Sequence, residues 1–169
     1  MEILLSHISH EEKLFEFDER SAAIGLPEQF GRVTASIYIY ALGQKYFARG
    51  TLEVDVRLTC DICLDEFERH FKEHFEVVVD SGPVPEVPDE EEVLYISPKT
   101  LSIDFSDFVR DQLLLALPIQ KRCRPDCKGL CPVCGANLNR ETCSHESSSP
   151  DPRWDKLRAL KMKIENSEN

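Results

Sequence analysis

The sequence predicts an α+β protein: an antiparallel β-sheet or meander over about 33–79, a helix over about 104–117 packed on it, a cysteine-rich tail and a short C-terminal helix. Between 32 and 79, apolar and polar residues alternate with a period of two, the mark of half-buried strands. A later run has helical spacing and stops at a proline. Five of the seven cysteines crowd into residues 123–143, a mostly polar stretch.

Taken in order, residues 1–30 hold two short strand-like runs, EILL at 2–5 and KLFEF at 13–17. In VTASIYIY, Val33, Ala35, Ile37 and Ile39 keep one face. In TLEVDVRLT, Leu52, Val54, Val56 and Leu58 alternate with Glu53, Asp55 and Arg57. Phe75, Val77 and Val79 continue the period, and Gly43 suits a hairpin turn between the first two of these strands. Residues 80–92, with three prolines and a run of acids, read as an exposed linker. VLYIS at 93–97 is one more strand. In the helix that follows, Asp104 is placed to cap, Phe105, Phe108, Val109, Gln112 and Leu113 share a face, and Pro118 ends it. At the far end, Asp151 is an expected N-cap and Pro152 the first helical residue. Trp154, Leu157, Leu160 and Ile164 form that helix's apolar stripe.

The 169 residues carry a net charge of −11, which argues against indiscriminate binding to nucleic acid or anionic lipid. The charge is uneven: residues 1–120 sum to −14, residues 121–164 to +5 and the last five to −2. An acidic body at 1–120 and a basic tail at 121–169, integrated as one domain, is the expected division. No apolar run approaches the ~20 residues of a membrane span. The first residues lack the basic and apolar regions of a secretory signal. A reducing, cytoplasmic setting follows, where clustered cysteines bind metal or do redox work more often than they form disulfides.

Cys60, Cys63, Cys123, Cys127, Cys131, Cys134 and Cys143, with His145, make eight potential ligands. Structural zinc takes four soft ligands in a tetrahedron, so eight suit two ions. A C-x2-C turn brings two thiolates to one ion, and the chain has two, at 60–63 and 131–134. Gly135 is free to take the positive φ that follows such a turn. C-x3-C at 123–127 and C-x-H at 143–145 complete the pattern. Two partitions are open. In the preferred one, Cys60 and Cys63 join Cys123 and Cys127, stapling the tail to the sheet, while Cys131 and Cys134 join Cys143 and His145. In the other, Cys123, Cys127, Cys131 and Cys134 share one ion. A redox cluster would use the same residues. No H-E-x-x-H, Walker A, G-x-S-x-G or metal-spaced carboxylate cluster is present, so an enzyme is not expected. His70 and His74 lie in a strand-like stretch and read as surface residues.

The string CKGLCPVCGANLN, preceded by LPIQKRCRPD and followed by CSH and DPRWDKLRAL, resembles the C-terminal half of the YceD-like family of large ribosomal RNA subunit accumulation proteins. LTCDICLDEF and LLLALP resemble further hallmarks of that family. The resemblance covers roughly 50–164, with one departure: Cys-x-His stands where many relatives have Cys-x-Cys. Some relatives lack the four-cysteine stretch. What the resemblance implies is a non-enzymatic role in ribosome biogenesis, supporting accumulation of 23S rRNA and the large subunit.

The residues add candidate contacts. Lys121, Arg122, Arg124, Lys128 and Arg140, extended by Arg153, Lys156, Arg158, Lys161 and Lys163, can present cations to the phosphates of a 23S rRNA precursor or pre-50S particle. Tyr38, Tyr40, Tyr46 and Phe47 sit on strands, where packing competes with base stacking. The alternative is a zinc-dependent protein–protein adaptor that binds a ribosomal protein without touching RNA. Neither reading calls for a membrane or a small-molecule substrate.

Overall fold

A computed structural model describes residues 1–82, 93–145 and 152–167. By backbone contacts the chain forms two compact units, Met1–Asp61 with Asp65–Pro125, and Ile62–Leu64 with Asp126–Asn169. The tip of the first C-x2-C turn groups with the second unit.

The first unit is built on β1 (Glu2–Leu4), β2 (Lys13–Arg20), β3 (Phe30–Leu42), β4 (Lys45–Thr59), β5 (Glu66–Asp80), β6 (Val93–Tyr95), β7 (Ser102–Asp104) and α1 (Ser106–Leu115). Strands β2 to β5 form an antiparallel meander and β6 joins β5 in parallel. A separate two-stranded sheet pairs β1 with β7, residues about a hundred apart in sequence. The sheet is thus longer than the expected 33–79 on both sides.

The period of two explains the meander. Val33, Ala35, Ile37 and Ile39 of β3, Leu52, Val54, Val56 and Leu58 of β4, and Phe71, Phe75, Val77 and Val79 of β5 are all buried on one face. A slip of one residue would turn every one of them to solvent, so the register is strongly specified. Gly43, at φ 65°, is the first residue of a two-residue hairpin between Leu42 and Lys45, where hairpin turns need positive φ. Phe105, Phe108, Val109 and Leu113 of the α1 region belong to the same core, with Ile3 and Ile103. The Phe75 and Phe108 rings meet edge to face at 5.2 Å.

Two expectations about α1 need correction. It runs from Ser106 to Leu115 rather than 104–117, because Asp104 ends β7. The residue in the N-cap position is Phe105. Asp104 still serves the helix start: its Oδ1 accepts the Ser106 N–H at 2.9 Å, satisfying one orphan donor. Burial would raise the Asp104 carboxyl, but the Ser106 hydroxyl, the Ser106 N–H and the N-terminal ammonium together outweigh it and hold the carboxyl below its ordinary value.

In the second unit, a bridge between Leu130 and Asn137 closes the cysteine-rich loop. A 3-10 turn at Pro152–Trp154 leads into α2, Asp155–Ser167. Trp154, Leu157 and Leu160, expected as a packing stripe, are more than half exposed. Asp151, most of the 80–92 linker and the Ile164 side chain lie outside what is described. Among the described residues no helix is long and apolar enough to cross a membrane.

Candidate metal centres

The two C-x2-C segments fold into the same turn. The Cys60 N–H donates to the Asp65 carbonyl at 2.9 Å, and the Cys131 N–H to the Ala136 carbonyl at 2.8 Å. In each, the residue after the second cysteine is left-handed: Leu64 at φ 61° and Gly135 at φ 74°. Glycine takes this geometry freely. Leucine does not, and pays roughly 1–2 kcal/mol for it. The Leu64 side chain is 62% exposed, so packing returns little. Leu64→Gly is expected to stabilise the protein by about 0.5–1 kcal/mol, the released strain being partly offset by chain entropy. A higher denaturation midpoint at constant slope checks this, and no gain would reveal compensating contacts.

Neighbouring backbone fixes these turns. In the first unit, Asp61 clamps residue 121: its Oδ2 accepts the Lys121 N–H at 2.6 Å, and its own N–H donates to the Lys121 carbonyl at 2.8 Å. Arg69 donates from Nη2 to the Arg122 carbonyl at 3.3 Å. In the second unit, the Leu130 N–H donates to the Ile62 carbonyl at 3.1 Å. A Cβ on Gly129 (φ 77°) would lie 2.6 Å from Ile62 Cγ2, so only glycine admits this approach.

The potential ligands gather into two sets. Cys60, Cys63, Cys123 and Cys127 form one, and Cys131, Cys134, Cys143 and His145 the other, with one ligand atom per residue within 4.8 Å of all the rest in its set. This is the paired grouping rather than the one that puts the four consecutive cysteines together. A tetrahedron with sulfur at ~2.3 Å from its centre has edges of about 3.8 Å, so little contraction is needed around an ion. None of the seven cysteines is joined in a disulfide. Cys60, Cys63 and Cys131 are buried, while Cys134 is exposed.

Electrostatics favour thiolate in the second set. The backbone N–H groups of Cys134 and Val133, with smaller help from the Cys143 and Cys134 thiols, pull Cys131 down to about 6. The His145 N–H pulls Cys143 down as well, but its hydrogen bond to Cys131, burial and the neighbouring sulfur charges outweigh that and leave it raised. The set holds negative charge that a bound cation would relieve.

Sequence reasoning missed Asn139 and Asn137. Asn139 Nδ2 donates to Cys127 Sγ at 3.4 Å, its Oδ1 accepts the Lys128 N–H at 2.9 Å, and Asn137 Oδ1 holds it through its N–H and its Nδ2, both at 3.0 Å. The Asn-x-Asn spacing was the available signal, since asparagine side chains commonly cap nearby backbone. Groups that orient a ligand are part of a metal site.

Of the candidate cations, the Lys163 side chain lies outside what is described. Lys121 is half-buried, while Arg122, Arg124, Lys128, Arg140, Arg153, Lys156, Arg158 and Lys161 are exposed. Arg122 donates to Gln120 at 3.0 Å, and Arg158 pairs with Asp155 one helical turn away. His70 and His74 are exposed on β5, bonded to Asp55 at 2.9 Å and Thr51 at 3.0 Å. Of the strand aromatics, Tyr46 packs on the core. Tyr38, Tyr40 and Phe47 lie on the opposite face by the alternation of β3 and β4.

The profile of the family described as "Large ribosomal RNA subunit accumulation protein YceD" matches residues 48–161. An uncharacterized protein of Mycobacterium tuberculosis is 43% identical over 72 residues, 43% of this chain and 33% of that protein. The chloroplastic large ribosomal RNA subunit accumulation protein YCED homolog 1 of Arabidopsis thaliana is 34% identical over 80 residues, 47% of this chain and 25% of that protein. The chain thus spans about a third or less of the length of these curated relatives. No solved structure matches.

Proposed function

The chain belongs to the YceD family, and from that premise we propose that it is a non-enzymatic factor supporting accumulation of large-subunit ribosomal RNA. In this reading two zinc ions hold the cysteine-rich segment in a fixed shape, and its cations meet a 23S rRNA precursor or pre-50S particle. The observation that carries it is that each ligand set is complete, with four protein donors. A tetrahedral zinc with four protein ligands keeps no position for water or substrate, which suits a structural ion. Sulfur-rich donors favour zinc over magnesium or calcium, which take oxygen. Clustered cysteines that gather as metal ligands suit a reducing compartment, and the cytoplasm is the proposed place of action.

The cations would then work against an acidic body. RNA contact should be modest and salt-dependent, with log K falling by about 0.7–0.9 per phosphate neutralised for each decade of salt. Crosslinking in cells followed by sequencing of bound RNA tests the reading: enrichment of 23S sequence is expected. Lys156→Ala and Arg158→Ala should each reduce the salt slope by about one such step. Capture of a ribosomal protein with no 23S enrichment would favour the adaptor reading instead. One observation supports that second reading: Trp154, Leu157 and Leu160 leave apolar surface exposed at α2, more suited to protein than to phosphate.

Asn139 gives a separate check on the first metal set. Replacing it by leucine removes the donor to Cys127 and should weaken zinc binding there about 10–100-fold. Competition with a colorimetric chelator would show one ion leaving faster and the other unchanged. Equal release of both ions by wild type and variant would deny Asn139 that role.

A further inference from the structure

The open face of the five-stranded sheet carries a feature that the metal and RNA readings do not use. Its neighbours in register run Tyr40 to Phe47, Phe47 to Val78, and Val78 to Val93, an apolar row across β3, β4, β5 and β6. The Tyr40 and Phe47 rings are stacked at 5.2 Å and 14°. Beside them Leu14, Tyr38 and Leu42 are 45%, 40% and 63% exposed. α1 does not shield this row, since its buried residues join the core formed by the opposite face.

A groove of about 690 Å³ follows the row, lined by Tyr40, Phe47 and Val78 with Glu12, Arg49 and Glu76. Its one cation among the described residues is already engaged. Arg49 binds Glu12 through Nε at 2.9 Å and Nη2 at 3.0 Å, and lies 5.7 Å from the Tyr38 ring centre. Glu76, opposite Arg49 in register, adds a carboxylate to the same groove. Further along this face, by the strand alternation, Asp18, Glu53 and Asp55 already pair with Arg32, Lys72 and His70, and Glu68 stands opposite Arg57, so the acid that the apolar row itself offers is Glu76.

An aromatic pair beside a carboxylate recognises a cation on an apolar stem. The stem covers the rings, the head group meets the ring face and the acid, and the chain pairs charge with charge. Phosphate would meet repulsion on the same surface. We propose that this sheet face is a docking surface for a lysine- and arginine-rich segment of a partner protein. It does not depend on zinc, nor on which partner the cysteine-rich segment meets.

The test uses the full zinc-loaded chain and three labelled probes in fluorescence anisotropy. These are a peptide of about twelve alternating lysines and leucines, its glutamate counterpart, and single-stranded RNA of similar length. The lysine peptide should bind saturably and the glutamate peptide should not. Glu76→Lys should weaken the lysine peptide about tenfold, the step expected of a contact near the centre of an interface, and Phe47→Ser by at least as much. Glu28→Lys, the same charge change at an exposed site off this face, should leave binding unaltered. If Glu28→Lys weakens binding as strongly as Glu76→Lys, the attraction is diffuse charge and the proposal fails. It fails equally if RNA binds in a way that Phe47→Ser abolishes, which would mark a base-stacking face. Should Phe47→Ser not fold, the Glu76→Lys and Glu28→Lys pair decides alone.

Discussion

Reduced, freshly purified protein is expected to carry two zinc ions per chain, and the Cys60→Ser, Cys63→Ser double variant one. The Cys131→Ser, Cys134→Ser double variant should also keep one, the other one. The expectation follows from two separate sets, each with its ligand atoms within 4.8 Å. Were Cys123, Cys127, Cys131 and Cys134 to share one ion instead, that ion would survive the Cys60→Ser, Cys63→Ser change and be lost with Cys131→Ser, Cys134→Ser. The energetic stake is large: structural zinc contributes about 10–16 kcal/mol of binding free energy in small sites near neutral pH, against about 5–15 kcal/mol for the whole stability of an ordinary domain. Residues 121–145 offer little in its place, since Cys131 alone among their apolar side chains is buried. A strong chelator should therefore expose this segment to protease at low concentration while the sheet stays protected. Acid should act likewise, because protons compete for the sulfurs. With the metal-free Cys131 thiol already pulled down to about 6, fewer protons are displaced when an ion binds there than at an ordinary thiol, and a bound ion holds the thiolate to still lower pH. Protein that carries no metal when reduced, with a segment equally protected in chelator, would remove the basis of the structural-ion reading.

How much of this was legible in sequence depends on where the determining contact lies. β3, β4 and β5 were readable because their period of two reports a buried face within each strand. β2 gave a weak signal, since at the sheet edge it buries only Phe15 and Phe17, and those partly. β7 was not readable at all. Its three residues are a strand only because β1 pairs with them, and Asp104 looked helical because its carboxylate does cap α1. The α2 stripe shows the converse limit: periodicity identified Trp154, Leu157 and Leu160 as one apolar series but could not say what covers them, and they are exposed. The residues of the two sets stood out by spacing alone, whereas their grouping remained one of two options. Sequence reasoning could not find the left-handed Leu64, because an exposed leucine carries no mark of its φ.

Gly50→Ala should cost about 1–3 kcal/mol, the range of an overpacked core position. Gly50 lies on β4 between Ile37 of β3 and Phe75 of β5. A Cβ there would stand 2.3 Å from the Ser36 carbonyl oxygen, and 2.8 and 2.9 Å from the Phe75 ring. Neither neighbour yields easily. The carbonyl belongs to the β3–β4 ladder, and the Phe75 ring is held edge to face by Phe108. The methyl group must therefore push β3 away from β4 or displace the ring that seats α1. For a chain of this size each kcal/mol lowers Tm by about 2–4 °C, so a fall of several degrees or more is expected. Thr51→Ala, one residue along and on the open face, should change stability by no more than about 0.5 kcal/mol beyond the loss of its bond to His74. Equal melting of Gly50→Ala and wild type would mean that β3 and β4 can separate at no cost, and the close packing of Phe75 over Gly50 would not be what seats the helix.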